Sequence, residues 1–130
     1  MLACFGPSKE CIEYAKAGLK IAEQVEGSYF NMSLCMNWGG VVAPFFATIS
    51  ETTEIFERGM YFSNQCYDHE TTGYLMFNTV MIQCYYGMEI PYLLENIKVY
   101  KEALDVKLKK GRSDVTVILS GVYDSLYFLL

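Results

Sequence analysis

Proline is scarce in this chain of 130 residues, with only three, at 7, 44 and 91. With so few breakers among so many helix formers, a β-rich or loop-rich fold is disfavoured. Histidine and tryptophan occur once each, as His69 and Trp38. A Cys-His or Ser-His-Asp apparatus would therefore have to be built around His69, and no nucleophile elbow or oxyanion glycine loop lies near it. The five cysteines, at 4, 11, 35, 66 and 84, contain no CxxC pair and leave one over from full pairing. That usage reads as reduced thiols, mostly small apolar core residues, in a cytoplasmic protein. Positive charge is also short: the net charge is -5, which argues against nucleic acid as a partner, because binding there rests on neutralising phosphates. The local basic group Lys98, Lys101, Lys107, Lys109, Lys110 and Arg112 reads as the solvated face and last turn of a helix. The N-terminal stretch before "PSKE" lacks the apolar core of a secretory signal.

What the chain has is apolar and aromatic material. It is 52% apolar, with eleven tyrosines and eight phenylalanines, enough for one compact domain or about three stacked repeat units. Two runs, Ser28 to Ser50 and Thr71 to Met88, carry no charge and approach the length of a membrane span. Asn31, Ser33, Asn37, Pro44 and Thr48 in the first, and Asn78, Thr79 and Gln83 in the second, are costly in hydrocarbon unless paired. Helices buried on several sides therefore explain the runs better, and a membrane partner is not expected.

Periodicity predicts six helices. The first runs from an N-cap at Ser8 to Glu26, with Ile12, Ala15, Leu19, Ala22 and Val25 on one face and Gly27 as its stop. The second covers Ser28 to Trp38 and is broken or kinked at Gly39-Gly40, a pair that reads as close packing or an interhelical loop. The third opens at Pro44, carries Phe45, Ile49, Phe56 and Met60 inward and Glu51, Glu54, Glu57 and Arg58 outward, and ends near Tyr67. Asp68 caps the fourth, which is apolar nearly all round to Gly87 and reads as an inner helix. Pro91 opens the fifth, with Ile90, Leu93, Leu94, Ile97, Leu104 and Leu108 on one face, to a stop at Gly111. The sixth starts at Ser113 or Asp114 and reaches the chain end without a polar tail, as if residues 1–130 were one segment of a longer array.

An internal echo supports that reading. With Gly18 laid on Gly59, Leu19 falls on Met60, Ile21 on Phe62, Gly27 on Asp68, Leu34 on Leu75 and Cys35 on Met76; Ala103, Leu104 and Arg112 fit a third copy at an offset of 44. A period near 40 made of two helices is the mark of stacked helix hairpins. The expected fold is all-α, with antiparallel helix-pair repeats in the manner of a tetratricopeptide (TPR-like) α-solenoid.

The run Pro44 to Leu108 carries "ERGMYFSNQCYDHE", a helix ending in a turn, then an aromatic helix closing on Tyr86-Gly87, then "IPYLLENIKVYKEAL". It resembles the tetratricopeptide-like helical region of very large signalling proteins, in which a serine/threonine kinase domain and an AAA-type predicted ATPase precede the array and a GAF sensor and histidine kinase follow it. This sequence departs from the pattern where Tyr67 replaces the glycine of a glycine-aspartate pair before the helix capped by Asp68. The resemblance implies a scaffold for protein-protein interaction or intramolecular regulation. No Walker-type GxxxxGK[ST] or kinase catalytic loop is present, so no catalysis, cofactor or metal is expected in this segment.

Its densest polar cluster, "CYDHE" from Cys66 to Glu70, reads as helix capping by Asp68, because adjacent residues point in different directions and cannot share one ion. The partner-binding surface is expected on the helices around Tyr29 and Trp38 and around Tyr74, Asn78 and Tyr85. Two rivals are a free-standing bundle with a closed apolar cavity lined by Met76, Phe77 and Met81, and a multipass membrane protein.

Overall fold

The computed structural model describes residues 8–24, 28–108 and 114–130. In chain order the elements are α1 (Lys9–Gln24), α2 (Ser28–Asn37), a π-helical turn (Trp38–Val42), α3 (Ala43–Phe46), α4 (Ile49–Gln65), α5 (His69–Tyr85), α6 (Ile90–Lys107) and α7 (Asp114–Tyr127). Six of these are α-helices of ten residues or more, and no strand occurs among the described residues. The protein is therefore all-α. None of these helices is long and apolar enough to cross a membrane. Val25, Gly27, Gly111 and Ser113, expected at helix ends, lie outside the described residues, as do Cys4, Lys109, Lys110 and Arg112.

The chain divides into two compact units, Met1–Tyr67 and Asp68–Leu130. The boundary falls inside the second copy of the sequence echo, so α4 belongs to one unit and α5 to the other.

In the first unit α2 packs chiefly on α4, and α1 lies against α2 and the π turn. Its core is built from Ala22, Met32, Cys35, Trp38, Ala43 and Phe56. At Gly39-Gly40 the α-helical pattern of α2 is interrupted, in line with the break or kink expected there, but without a loop. The chain instead widens by one residue there, the Ala43 N–H donating to the Trp38 carbonyl, a one-turn π insertion. Within the turn, Gly39 packs against a neighbour seventeen residues on. A Cβ placed on Gly39 would stand 2.6 Å from Cε1 of Phe56, and Phe56 is wholly buried, so only glycine lets its ring lie against the backbone.

A correction follows at Pro44, which opens only the four residues of α3. Ala47 then turns extended, and α4 starts afresh from Thr48. Thr48 and Glu51 form a reciprocal capping box: the Thr48 N–H donates to Glu51 Oε2 at 2.7 Å, and the Glu51 N–H donates to Thr48 Oγ1 at 3.3 Å. Two orphan donors are satisfied at once. The break turns Phe45 outward, 63% exposed, against the inward position expected for it.

The second unit is a three-helix cluster in which α6 meets α5 and α7, and α5 meets α7. Leu75, Val80, Leu93, Ile97, Leu104, Val115 and Leu119 fill it. Gly73 repeats the device of Gly39: a Cβ there would lie 2.7 Å from Val115 Cγ1. The expected α6 stripe holds, with Leu93, Leu94, Ile97 and Leu104 buried. By contrast α5 is not enclosed all round, since Met81 and Tyr85 are exposed.

Four buried hydroxyls bond back onto their own helices. Thr52 donates to the Thr48 carbonyl, Thr72 to that of Asp68, and Thr79 to that of Leu75, each four residues back, while Ser63 donates to Met60 three back. Gln83 accepts from Asn96 Nδ2 at 3.2 Å, joining α5 to α6. These bonds remove the desolvation penalty that burying hydroxyls and amides would otherwise carry.

Candidate functional site: a charged-rim cleft in the first unit

Three stretches converge on one open cleft in the first unit, with a volume of about 460 Å³. From α1 come Ile12, Lys16 and Leu19, spaced four and three apart and so on one side of that helix. The π turn and α3 bring Trp38, Ala43 and Phe46, with Ala47 just beyond. From α4 come Glu51, Glu54, Ile55 and Arg58, another one-sided set. Trp38 and Ala43 are buried, Ile12, Leu19 and Ile55 half-buried, and Lys16, Glu51 and Glu54 exposed. An apolar floor is thereby bordered by charges of both signs.

The charged groups differ in freedom. Glu51 is held by its capping box, and hydrogen bonds from the Thr48 main chain and then its side chain keep its carboxyl below the usual carboxylate range. The Arg58 guanidinium lies 5.7 Å from the centre of the Phe62 ring, a cation-π arrangement. Lys16 and Glu54 make no ion pair within 4 Å among the described residues. The indole Nε1 of Trp38, a residue that borders the cleft, is buried and has no hydrogen-bond partner.

The residues expected at a partner surface do not all behave alike. Tyr29 and Tyr85 are exposed, and Tyr74 and Asn78 half-buried. Tyr74, Asn78 and Tyr85 share one side of α5, together with Met81. Trp38, expected on that surface too, is instead buried at 7% exposure, because the π turn draws it into the core while leaving it a border on the cleft. Sequence reasoning missed the cleft itself, whose walls come from elements up to 46 positions apart, from Ile12 to Arg58. The one local signal of its geometry was the capping box in "TISE".

Other chemistry is sparse. Asp68 caps α5 as expected, accepting from the Thr71 N–H at 2.9 Å and from Thr71 Oγ1 at 2.8 Å. No group of three His, Cys, Asp or Glu side chains among the described residues could hold a metal. Met76 is buried while Met81 is 43% exposed, so those two do not line one closed cavity. Burial pushes the thiols of Cys35 and Cys84 up, which suits inert core cysteines. The Cys11 thiol is drawn down by the hydrogen bond with the Ser8 hydroxyl, 3.5 Å away, and then by the Ser8 main chain. In the second unit a smaller hollow of about 190 Å³ gathers Lys98, Lys101, Glu102, Asp105 and Tyr123. Its mixed charges, and the Lys101 ammonium 5.8 Å from the Tyr123 ring centre, do not make an anion site. Set against family models, curated proteins and solved structures, the chain matches none of them.

Proposed function

We propose that this chain is a protein-interaction module, a helical scaffold segment whose cleft in the first unit receives a peptide from a partner protein or from another part of the same protein. The observation that carries this is the cleft's form: open along one side, apolar at the floor through Ile12, Leu19 and Ile55, and charged at the rim through Lys16 and Glu54. Such a site fits an apolar side chain projecting from a polar strand of chain, with the rim charges selecting its neighbours. A small apolar ligand calls for closer enclosure, with most of its surface covered.

The finer architecture belongs to the same proposal. Stacked helix pairs of the tetratricopeptide type, within a larger kinase- and ATPase-bearing signalling protein, are supported by the Gly18–Gly59 echo and by the family resemblance of Pro44 to Leu108. In this reading the segment itself performs no catalysis, and the chemistry lies in other domains. A cytoplasmic setting is supported by the unpaired thiols of Cys11, Cys35, Cys66 and Cys84.

The test is panning of a random peptide display on the chain, with Ile55→Glu and the exposed-rim variant Glu54→Lys beside it, all three checked for helicity. Peptides with one bulky apolar residue among charges should be enriched on the parent chain, be lost on Ile55→Glu, and change their flanking charges on Glu54→Lys. Enrichment of nothing, or of the same peptides on all three proteins, would refute the reading.

A further inference from the structure

We propose that two copies of this chain associate through the solvent side of α6, with the two helices antiparallel across a two-fold axis. The inference stands on the second unit and does not depend on the cleft in the first. Two rows run along that side of the helix. One is charged and ordered by sign: Lys98 and Lys101 come first, then Glu102 and Asp105, and with Tyr123 of α7 they line the hollow of about 190 Å³. The other is apolar: Tyr92, Val99 and Val106 recur every seven residues, close to two helical turns, and are 47%, 53% and 82% exposed. Little within the unit uses the charges. Lys98 stands 3.9 Å from Glu95, an exposed pair of small worth, and Lys101 lies over the Tyr123 ring. Lys101, Glu102 and Asp105 make no ion pair among the described residues. Along the helix Lys98 precedes Glu102, and Lys101 precedes Asp105, by four positions, the weaker of the two orders for such a pair.

A second copy turned end for end supplies the missing partners. With the axis between Lys101 and Glu102, Lys98 comes level with Asp105 of the second copy and Lys101 with its Glu102, and the symmetry repeats both pairs. A two-fold axis across antiparallel helices sets like flanks together. Charged row therefore meets charged row with the signs crossed, and apolar row meets apolar row, Val106 of one copy lying beside the turn that bears Val99 of the other. Parallel helices would instead lay the apolar row on the charged one. The same patch serves both copies, so the contact is isologous and closes at two.

Sedimentation of the full chain over a concentration series should show a monomer-dimer equilibrium that weakens as salt rises. Lys98→Glu with Lys101→Glu makes the whole row acidic, and Glu102→Lys with Asp105→Lys makes it basic. Each double variant alone should dimerise ~30-fold or more weakly, since attractions are exchanged for repulsions of similar size. Mixing the two should restore a dimer holding one copy of each. Lys98, Glu102 and Asp105 are exposed and Lys101 half-buried, and far-UV circular dichroism checks that each variant stays helical. Carbodiimide coupling of mixed nitrogen-15-labelled and unlabelled parent chain should join Lys98 to Asp105 and Lys101 to Glu102 in peptide pairs that carry the label on one side only. The proposal is overturned if the chain stays monomeric at the highest concentration reached, if both double variants dimerise as the parent does, or if mixing them restores nothing. Should a variant lose its helicity, the cross-link positions in the parent decide, and a dimer joined only at other residues would sink the α6 contact.

Discussion

Adding one methyl group at Gly39 sets two effects against each other. In an ordinary helix, glycine to alanine gains ~1 kcal/mol of propensity. At Gly39 the new Cβ would stand 2.6 Å from Cε1, 2.9 Å from Cδ1 and 3.1 Å from Cζ of Phe56, where carbon atoms prefer ~3.5–4.0 Å. The ring has to retreat by roughly 1 Å, and with no exposed surface it retreats into occupied space. Overpacking of this kind costs ~1–3 kcal/mol, so against the propensity gain Gly39→Ala should lose up to ~2 kcal/mol net. For a unit of this size that is a fall in Tm of ~4–8 °C per kcal/mol. Urea titrations followed by far-UV circular dichroism and by Trp38 emission, which sits next to the substitution, should report the same loss. The decisive arm is the cycle with Phe56→Leu, which removes the obstructing ring. In that background Gly39→Ala should be neutral or stabilising, giving a coupling of ~1–3 kcal/mol, the overpacking cost that the ring imposes. A stabilising Gly39→Ala in the parent chain, or an equal cost in both backgrounds, would refute the close-contact account of Gly39.

Three further outcomes follow from the same reasoning. Gly73→Ala should destabilise the second unit by ~1 kcal/mol or more through Val115, with Val115→Ala relieving it in a thermal melt. Helices α4 and α5 end alike, with Tyr67 at φ 56° and Gly87 at φ 75° just past their caps. Gly87→Ala, in open space, should therefore cost ~1–2 kcal/mol from backbone strain alone. Tyr67→Gly, at an 82% exposed position, should gain ~0.5–1 kcal/mol after glycine's extra chain entropy is subtracted; denaturant midpoints check both. Glu51 has its carboxyl pKa lowered in the folded chain, so its stabilisation is present above its unfolded pKa and is lost as pH falls through the folded one. Glu51→Gln should flatten that acid-side decline, and a parent melt insensitive to pH across the carboxylate range would count against the capping box as a source of stability.

Helix starts were legible in the sequence wherever the signal is local. Asp68 needs only Thr71, three residues on, and Pro91 needs only the turn it opens. The α6 stripe of Leu93, Leu94, Ile97 and Leu104 was equally plain, because a helix with one buried side writes its period directly. At Gly39-Gly40 close packing was among the readings, but its partner, Phe56 in another helix, was out of local reach. Pro44 hid the capping box that follows it: two helix-start signals stood four residues apart, and the chain uses both, one for α3 and one for α4. Tyr67 takes the left-handed conformation at the very position where the resembling pattern has glycine, a feature that was visible only as a departure. The cleft lay beyond local reading, since Ile12, Trp38 and Ile55 meet through packing. The same packing hid Trp38, whose place among the surface residues was inferred from its type.

The threonine and serine hydroxyls that turn back onto their own helices have an evolutionary consequence. Thr52 and Thr79 bond back to carbonyls four residues earlier, so the positions facing them are free to change among apolar residues of similar volume without orphaning a buried hydroxyl. Gln83 and Asn96 are the opposite case: their shared hydrogen bond spans two helices, and a change in either leaves an amide stranded. Relatives of this chain should thus drift independently around the threonines and substitute in concert at positions 83 and 96.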